Sequence, residues 1–441
     1  MKLEGLTFKG GIHTPHFKSL TEKKPIELAN EPKMVIIPMQ MHIGAPCEPI
    51  VKVTEQVKVG QKIGEANAFV SAPIHSSVSG TVKKIAEVLT PLGKSKAVFI
   101  ESDGLNEKHE SIKPKGTVET LSPSELKGIV KDLGITGMGG ASFPTHVKLS
   151  PPEGKVIDVV ILNGAECEPY LTADHRLMLE SPERVVEGLR IIMKILDVKE
   201  GFIAIETNKP DAIEAIKNAS EKYSEIHVAS LVPKYPQGDE KRIINAVTGR
   251  EVPSGGLPMD AGAVVDNVGT AAAIADAVLE GMPLIQRVAT ITGDAVNEPK
   301  NLLVKVGTPF KEVIAQCGGH KENIGKLIMG GPMMGLAQCT DEIPVIKGTS
   351  GMLMLTEEQS KCSEAEACIR CGKCVDACPV HLQPLFLSQY AMKDMLDEAE
   401  EMHVADCIEC GSCSYICPAR RPLVETIRLS KREVIARRRN R

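Results

Sequence analysis

The sequence CIRCGKCVDACP runs from Cys368 to Pro379, and CIECGSCSYICP repeats its spacing from Cys407 to Pro418. In each copy, two-residue gaps separate three cysteines, and a fourth follows three residues later, directly before a proline. The two-residue gaps let a tight loop aim three sulfurs at one four-iron cube, while the fourth cysteine begins a departing segment and ligates the other cube. The repeat therefore predicts a two-cluster, ferredoxin-like domain.

The crossed ligation assigns four thiolates to each of two 4Fe–4S clusters. The first set comprises Cys368, Cys371, Cys374 and Cys417. The second set comprises Cys407, Cys410, Cys413 and Cys378. A zinc site is the alternative, but it usually has only four ligands, in two CxxC units with a longer gap. Eight cysteines in this repeat favour iron–sulfur clusters, and Cys362, which lies outside the repeat, is interpreted as a spare thiol.

The composition of the 441-residue chain argues against several classes of protein. Its formal charge of −5 disfavours a chain that wraps nucleic acid, and its 3 % of aromatic residues disfavours a base-stacking surface. No apolar run approaches the ~18 residues that span a bilayer, and the first residues lack the apolar core of a signal peptide. Thirteen cysteines in such a chain are not expected to form a disulfide framework. We therefore expect a cytoplasmic protein that binds no nucleic acid.

The rest of the chain divides into segments with different patterning. Short β-rich runs between Gly and Pro residues predict a small β domain, and residues 56–85 resemble the barrel-sandwich hybrid fold of lipoyl domains. The hairpin tip Glu65–Phe69 lacks the lysine that such domains modify, so we expect the fold without its swinging arm. The predicted segments are an N-terminal arm (1–34), the barrel-sandwich domain with a linker (35–120), an α/β domain (121–280), a small α+β module (281–355), the cluster domain (356–425) and a basic tail (426–441).

Strand and helix patterns alternate between residues 121 and 280, which is typical of an α/β domain with a largely parallel sheet. Ser122 and Glu125 have the spacing of a capping box at the start of a helix. The predicted strands are 156–162, 201–206 and 225–232, and the predicted helices between them are 181–196 and 211–223. In the cluster domain, residues 385–402 are predicted to form one helix.

A glycine-rich loop and three polar segments indicate a flavin or nucleotide site. The loop ITGMGGASFPTHVK runs from Ile135 to Lys148, and its glycines let backbone N–H groups approach a phosphate or a flat ring. The segments NGAECEP (163–169) and KYPQGDEK (234–241) each follow a predicted strand, and VDNVGT (265–270) comes next in the chain. Because ligands gather at the carboxyl ends of parallel strands, we expect these segments to surround one ligand.

In this order, the motifs resemble those of the FMN- and NADH-binding subunit of respiratory complex I, which has GRGGAGFP…K, NADExEP, YxxGEE and NVET. The β-rich N-terminal domain, the double cysteine motif and the segments Gly10–Pro15 and Gly330–Gly335 are more specifically similar to the C subunits of Rnf ion-translocating ferredoxin:NAD oxidoreductase complexes. The resemblance covers nearly the whole chain. It implies a complex-I-like FMN-binding α/β domain, an SLBB-like α+β module and an NADH-linked oxidoreductase subunit.

The resemblance also implies cofactors, partners and a location. FMN would bind non-covalently, NAD(H) would be the substrate, and the two clusters would carry single electrons. The partners would be other subunits of a membrane-bound Rnf complex, with ferredoxin as an indirect partner. The chain would lie peripherally on the cytoplasmic face of the cell membrane.

The matched motifs carry expected roles onto residues of this chain. The residues expected along the FMN phosphate and ribityl chain are Gly137, Gly139, Gly140 and Lys148. Those expected to complete the flavin pocket are Asn163, Tyr235, Gly238, Asp239, Asn267 and Thr270. Those expected at the reacting rings are Phe143, stacked on nicotinamide or adenine, Glu168, on the NADH ribose hydroxyls, and Glu166 and Glu240, near the isoalloxazine. The chain departs from the complex I pattern at Met138, Asp239 and Gly269, where that pattern has Arg, Glu and Glu.

Two other functions are compatible with these motifs. A cobalamin reductase of a bacterial microcompartment also joins such a flavin module to two clusters, but there the small α+β module is expected after the cluster domain. A non-catalytic wiring module would carry clusters without a nucleotide site. The basic tail has seven basic residues and one acidic residue, so it could contact anionic lipid or an acidic partner protein, or be disordered.

Overall fold

The computed structural model describes residues 3–361 and 363–439. Cys362, predicted to be a spare thiol, and residues 440 and 441 of the predicted basic tail lie outside the described residues. In chain order, the described residues form an extended arm, a β-rich region, an α/β region, a mixed region and a helical region.

The N-terminal arm runs across other parts of the molecule. Leu6 forms a parallel bridge with Leu231, and Ile12 pairs with Tyr235. Further along, the arm adds an edge strand to a sheet that is otherwise built by residues after 285. Its elements are a 3₁₀ turn at Lys18–Leu20 and strand β1 at Ile26–Leu28.

The β-rich region forms two small antiparallel sheets around one apolar core. Its strands are β2 (Met34–Pro38), β3 (Glu48–Pro49), β4 (Gln56–Val57), β5 (Lys62–Glu65), β6 (Ile74–His75), β7 (Gly80–Thr90) and β8 (Gly93–Ser102). The sheets have the orders β2-β8-β7-β4 and β3-β5-β6. Val35, Ile63 and Ile74 are fully buried between them. The barrel-sandwich fold predicted here is confirmed, with no lysine in the Glu65–Phe69 tip.

The α/β region contains a four-stranded parallel sheet in the order β11-β10-β9-β12. The strands are β9 (Val159–Gly164), β10 (Glu200–Glu206), β11 (Ile226–Leu231) and β12 (Ala263–Asn267). The helices are α1 (Pro123–Asp132), α2 (Thr145–Lys148), α3 (Ala173–Glu180), α4 (Pro182–Leu196), α5 (Pro210–Ser220), α6 (Glu240–Thr248), a 3₁₀ turn (Pro258–Ala261) and α7 (Val268–Leu279). The predicted capping box is present, because the Ser122 hydroxyl accepts from the Glu125 N–H and the Glu125 carboxylate accepts from the Ser122 N–H.

The mixed α+β region is fused to the barrel-sandwich region. Its elements are β13 (Gln286–Thr292), β14 (Lys300–Lys305), α8 (Phe310–Gln316), β15 (Ile324–Met329), β16 (Leu336–Gln338), β17 (Gly351–Thr356) and α9 (Glu357–Ser360). With β1 of the arm they form a six-stranded sheet in the order β1-β14-β13-β17-β15-β16. Buried residues of both regions, such as Ile37 and Ile291, belong to one hydrophobic cluster. The two regions therefore share a core.

The cluster region is built from short helices, and one prediction about it is wrong. Its helices are α10 (Lys373–Asp376), α11 (Pro384–Met392), α12 (Leu396–Glu401), a 3₁₀ turn (Val404–Asp406), α13 (Ser412–Tyr415) and α14 (Leu423–Arg439). The single helix predicted over 385–402 is two helices, α11 and α12. Asp394 between them has a φ of 55°, and this left-handed backbone conformation ends a right-handed helix.

The basic C-terminal segment is helical wherever the structure describes it. Helix α14 buries Leu423, Ile427 and Val434 against the cluster region. Its Arg437 and Arg438 form ion pairs with Asp397 and Glu400 of α12. In the described ranges, no helix is long and apolar enough to cross a membrane.

Candidate functional site

The segments that follow β9 and β11 meet at the carboxyl edge of the parallel sheet. The Asn163 side-chain amide donates to the carbonyl of Gly238 over 2.8 Å. The Gly238 N–H in turn approaches Cys167 Sγ at 3.4 Å. A Cβ on Gly238 would lie 3.2 Å from Asn163 Nδ2, so a side chain here would press on that amide. The sheet therefore brings together the first two polar segments that the sequence singled out.

The glycine-rich loop lies on the start of α7. The loop is closed by a 2.9 Å hydrogen bond from the Gly137 N–H to the Phe143 carbonyl, and Phe143 is half-buried. The Met138 N–H donates to Thr270 Oγ1 over 2.9 Å. A Cβ on Gly139 would lie 2.9 Å from the Asn267 amide nitrogen, whereas a Cβ on Gly140 would meet no atom within 4 Å. The loop is therefore tight on the protein side and open on the other side, which fits a cradle for a flat or phosphorylated ligand.

Asn267 is held rigidly at the junction of this loop and α7. Its Oδ1 accepts from the Gly269 N–H at 2.8 Å and caps the helix, and its Nδ2 donates to Asp174 Oδ2 at 2.7 Å. Burial raises the pKa of Asp174 to about 6, and the nearby Glu166 carboxylate acts in the same direction. The start of α7 thus lies directly beside the loop, and a helix N-terminus suits an anionic group.

Lys148 is fixed at the end of β12 by three oxygens. Its Nζ donates to Glu240 Oε1 at 2.6 Å and to the Val265 carbonyl at 2.7 Å, and it lies 3.6 Å from Asp266 Oδ1. Burial opposes the charged amine, but Asp266 and Glu240 raise the pKa of Lys148 overall. Burial also raises the pKa of Asp266 to about 6, although Lys148 counteracts it. Lys148 is therefore a half-buried cation in this site.

Two departures from the complex I pattern lie against each other. Met138 is buried, and a Cβ on Gly269 would lie 3.0 Å from its Cε. An apolar contact thus occupies the positions that hold Arg and Glu in that pattern. A cation still reaches the loop, because buried Arg287 of β13 donates to the carbonyls of Lys347 at 2.7 Å and Met138 at 3.4 Å. The sequence analysis missed Arg287, since nothing in a β-strand pattern indicates which distant loop a strand will contact.

The loop after β9 is held by the N-terminal arm. Glu166 has a φ of 47°, and its carboxylate accepts from the N–H groups of Asp174 at 2.7 Å and His175 at 3.2 Å, at the start of α3. Buried Lys18 of the arm donates to the backbone carbonyls of Glu166, Glu168 and Leu171. The sequence analysis missed Lys18 as well, because the arm lacks periodicity or a motif.

Glu168 and Asp239 have protein partners that the sequence did not indicate. Glu168 Oε2 accepts from the Met333 N–H at 3.0 Å, and Oε1 accepts from the Met334 N–H at 2.8 Å. Asp239 caps α6 by accepting from the Arg242 N–H at 3.2 Å, and burial raises its pKa. Both carboxylates thus lie at the edge of this candidate site, and both have protein partners.

Tyr235 joins the α/β region to the cluster region. It is 1 % exposed, and its hydroxyl donates to the backbone carbonyl of Cys410 over 2.8 Å. Its backbone exchanges two hydrogen bonds with Ile12 of the arm. Ile12, Tyr235, Ala377 and Cys410 form a small buried cluster of their own. The predicted flavin segment therefore abuts one of the cysteine loops directly.

The structure brings the eight repeat cysteines together as two sets of four. The set that we call the inner cysteine set lines one cavity and comprises Cys378, Cys407, Cys410 and Cys413. The set that we call the outer cysteine set lines a second cavity and comprises Cys368, Cys371, Cys374 and Cys417. These sets have the crossed membership that the spacing predicts, since each takes its fourth thiol from the other motif.

The two cysteine loops have matching backbone geometry. Arg370 and Glu409 have φ values of 55° and 57°, and Gly372 and Gly411 both have φ of 78°. In each loop a backbone N–H approaches the sulfur of the first cysteine at 3.4 Å. The Arg370 N–H approaches Cys368, and the Glu409 N–H approaches Cys407. N–H groups aimed at sulfurs suit thiolates that ligate a cluster. Four thiols around each cavity therefore fit a 4Fe–4S cluster.

The two sets differ in their exposure. Cys368 and Cys371 of the outer set are exposed, whereas Cys378, Cys410 and Cys413 of the inner set are buried. The inner set adjoins the cluster of buried residues around Tyr235.

Comparisons with known proteins agree with this architecture. Four family models match successive parts of the chain. They are the RnfC barrel sandwich hybrid domain (6–105), the Nuo51 FMN-binding domain (130–276), the SLBB domain (288–337) and the 4Fe-4S dicluster domain (360–418). The predicted order of modules and the predicted relationship to complex I are confirmed.

Curated relatives align with almost the whole chain. The chain is 54 % identical over 440 residues to the C subunit of the Na(+)-translocating ferredoxin:NAD(+) oxidoreductase complex of Acetobacterium woodii, and the alignment covers 100 % of this chain and 99 % of that relative. It is 55 % identical over 429 residues to the C subunit of the proton-translocating ferredoxin:NAD(+) oxidoreductase complex of Clostridium ljungdahlii, with coverages of 97 % and 94 %. It is 42 % identical over 433 residues to the C subunit of the ion-translocating oxidoreductase complex of Rhodobacter capsulatus, with coverages of 97 % and 83 %.

A solved structure shares the fold. An NAD⁺-reducing NiFe hydrogenase in the air-oxidized state matches with a TM-score of 0.50 and 16 % identity, over 73 % of this chain and 64 % of that chain. Fold and site together define a flavin- and iron–sulfur-type electron-transfer protein with a complex-I-like FMN-binding domain. More particularly, the chain belongs to the family of C subunits of Rnf ion-translocating ferredoxin:NAD⁺ oxidoreductase complexes.

Proposed function

We propose that this chain exchanges hydride with NAD(H) at its α/β region and passes single electrons to partner subunits of an Rnf-type complex. The observation that carries the proposal is the direct contact between the flavin segment and the inner cysteine set, through the 2.8 Å hydrogen bond from Tyr235 to the Cys410 carbonyl. When bound, FMN supplies the conversion between two-electron and one-electron chemistry that clusters require.

Different residues of the site would hold different parts of FMN and of the nucleotide. The backbone of Gly137, Gly139 and Gly140, with the start of α7, would hold the phosphate, and Lys148 would contribute a fixed positive charge. The residues that would shape the flavin pocket are Asn163, Tyr235, Gly238, Asp239, Asn267 and Thr270. The residues that would face the reacting rings and the nucleotide are Phe143, Glu166 and Glu240.

The different exposure of the two cysteine sets indicates a path for electrons through the molecule. The inner set lies against the α/β region, and the outer set has two exposed cysteines. A one-electron partner would therefore dock at the outer set, where a bound cluster would be within reach of another protein. We further propose that the partners are the other subunits of the complex, with ferredoxin acting through them, and that the chain lies peripherally at the cytoplasmic face of the membrane.

The decisive experiment mixes the full-length chain, loaded anaerobically with FMN, iron and sulfide, with reduced nucleotides. NADH should bleach the flavin and cluster absorption, and NADPH should do so far more slowly. The reason is that the complexes of the curated relatives are named for NAD(+) and not for its 2′-phosphorylated form. Equal rates with NADPH, or no bleaching of fully loaded protein by NADH, would contradict the proposal and favour a wiring module without a nucleotide site.

A cobalamin reductase is disfavoured by the order of modules. The SLBB domain (288–337) precedes the 4Fe-4S dicluster domain (360–418), opposite to the order expected of that enzyme. The location at the membrane can be checked separately. Washing membranes with high salt should release the chain without detergent, and a chain that remains bound would contradict a peripheral position.

A further inference from the structure

The loop Gly330–Gly335, between β15 and β16, reaches from the α+β region to the edge of the flavin site. Both carboxylate oxygens of Glu168 accept hydrogen bonds there, from the N–H groups of Met333 and Met334. The approach is tight, because a Cβ on Gly331 would lie 2.3 Å from Glu168 Oε2. Glu168 lies 165 residues before Met333 in the chain, so this contact is a purely tertiary one.

The other side of this loop touches the inner cysteine set. The Met333 side chain packs against the buried cluster that contains Tyr235 and Cys410. A Cβ on Gly411, the residue after that cysteine, would lie 3.5 Å from the Met333 carbonyl and 3.7 Å from its Cε. Met333 therefore covers one side of the inner cysteine loop while Glu168 holds its backbone.

We propose that Glu168 is a positioning residue, which holds Met333 over the inner cysteine set and thereby keeps water from the cluster bound there. This inference rests on the proposed function, because it requires a cluster in the inner set. The reduction potential of an iron–sulfur cluster depends on its solvent exposure and on hydrogen bonds to its sulfurs. Residues that hold the surroundings of a metal site in place act on the metal through the same properties. A carboxylate that accepts two backbone N–H bonds is a strong anchor for such a loop.

This role differs from the ribose contact that the sequence indicated for Glu168. A ribose ligand acts on the KM for NADH and leaves both clusters unchanged. A positioning residue changes the inner cluster and leaves nucleotide affinity nearly unchanged. The two roles are therefore separable by experiment.

The test uses the full-length, cofactor-loaded chain with two variants. Glu168→Gln replaces one acceptor oxygen by an NH₂ group that cannot accept an N–H bond, and Gly331→Ala pushes the loop away from an intact Glu168. The matched control is Glu342→Gln, which makes the same substitution at an exposed ion pair with Lys311. The reduction potentials and EPR signals of the two clusters are measured after chemical reduction. A Cys378→Ala variant identifies which signal belongs to the inner cluster.

Both variants should shift the potential and EPR signal of the inner cluster only, with the KM for NADH within about twofold of the parent. The control should match the parent. Unchanged cluster signals in Glu168→Gln would overturn the inference, and a several-fold higher KM in the same variant would assign Glu168 to the ribose. Because the clusters are reduced chemically, these signals do not depend on NADH. A failure of the proposed function would appear separately, because NADH would then not bleach the parent protein.

Discussion

At the scale of single residues, the candidate flavin site is tightly packed on its protein side. A Cβ at Gly139 would lie 2.9 Å from Asn267 Nδ2, and that amide cannot retreat because it also donates to Asp174. The Asn267 oxygen is equally committed to the cap of α7. A side chain at position 139 must therefore displace the loop itself.

The first prediction follows from this contact. Gly139→Val should lower FMN affinity by roughly tenfold or more, equivalent to at least about 1.4 kcal/mol, while the iron content stays constant. Flavin released by acid and iron measured on the same sample give the two readings. Gly128→Ala, where a Cβ in α1 meets no atom within 4 Å, is the control and should keep its flavin. Full flavin occupancy in Gly139→Val would remove the loop from the site.

Asp266 gives the site a dependence on pH. Its folded pKa of about 6 lies above the ordinary value of 3.8 because of burial, with Lys148 acting against the shift. The folded chain thus holds this proton more tightly than the unfolded chain. The charged carboxylate therefore lowers the free energy of unfolding. This loss grows as the pH rises from about 4 to about 6 and stays constant above about pH 6.

The second prediction tests that cost with Asp266→Asn. Relative to the parent, the stability of this variant should rise by on the order of 3 kcal/mol between about pH 4 and pH 6. Loss of the Lys148 contact adds an offset that does not change with pH in this range. Unfolding midpoints of the two chains across the range provide the measurement. Parallel pH curves would show that Asp266 does not titrate in the folded chain as inferred.

At the scale of elements, the cysteine loops illustrate how spacing determines structure. Each loop places a left-handed residue two positions after its first cysteine and a left-handed glycine before its short helix, namely Gly372 before α10 and Gly411 before α13. Because each fourth cysteine leaves its own loop, the two loops complete each other's sets. Neither motif can form a full ligand set alone.

The third prediction follows from this exchange. Cys378→Ala lies in the first motif, yet it should remove the cluster held by the second motif, so iron should fall from about eight to about four per chain. EPR of the reduced protein should retain the signal of the outer set. Cys339→Ala, at an exposed cysteine outside both sets, should keep all its iron. A Cys378→Ala chain that loses the outer cluster instead would show that ligation is not crossed.

At the scale of the whole molecule, the modules are joined by shared cores and by buried hydrogen bonds, such as those from Lys347 to Gly134 and from Tyr235 to Cys410. The barrel-sandwich and α+β regions share a hydrophobic cluster, and the arm contacts both the α/β sheet and the α+β sheet. The cluster region meets the α/β region at Tyr235, whose hydroxyl donates to the Cys410 carbonyl, and at Arg242, which donates to the Pro379 carbonyl. The distance between flavin site and inner set is therefore fixed by tertiary packing.

The fourth prediction concerns this junction. Tyr235→Phe removes one buried hydrogen bond, worth about 0.5–1.5 kcal/mol, and should slow the reduction of the clusters by NADH while flavin and iron remain bound. Stopped-flow absorbance separates flavin bleaching from cluster bleaching. Tyr223→Phe, at a ring over which Arg190 stacks away from the junction, is the control. If the clusters of Tyr235→Phe were reduced at the parent rate, this hydrogen bond would not control electron transfer between the α/β region and the inner cysteine set.

The sequence by itself determined the features that depend on local spacing. The CxxCxxCxxxCP repeat predicted two sets of four thiols, because the reach of a tight loop is fixed by the number of residues in it. The alternation of strand and helix predicted the parallel sheet, and the polar segments after its strands converge because parallel strands end at one edge. The helix predicted over 385–402 was wrong, because a left-handed Asp394 carries no clear sequence signal.

Only the tertiary structure decided which distant groups meet. Lys18, Arg287 and Met333 contact the flavin-site loops from segments about 150 or more residues away, and no periodicity or motif relates them to those loops. The same holds for Glu168, whose motif indicated a nucleotide ligand while packing gave its carboxylate two backbone N–H partners. Local chemistry restricts what a residue can bind, but a buried polar group binds the partner that the fold places beside it.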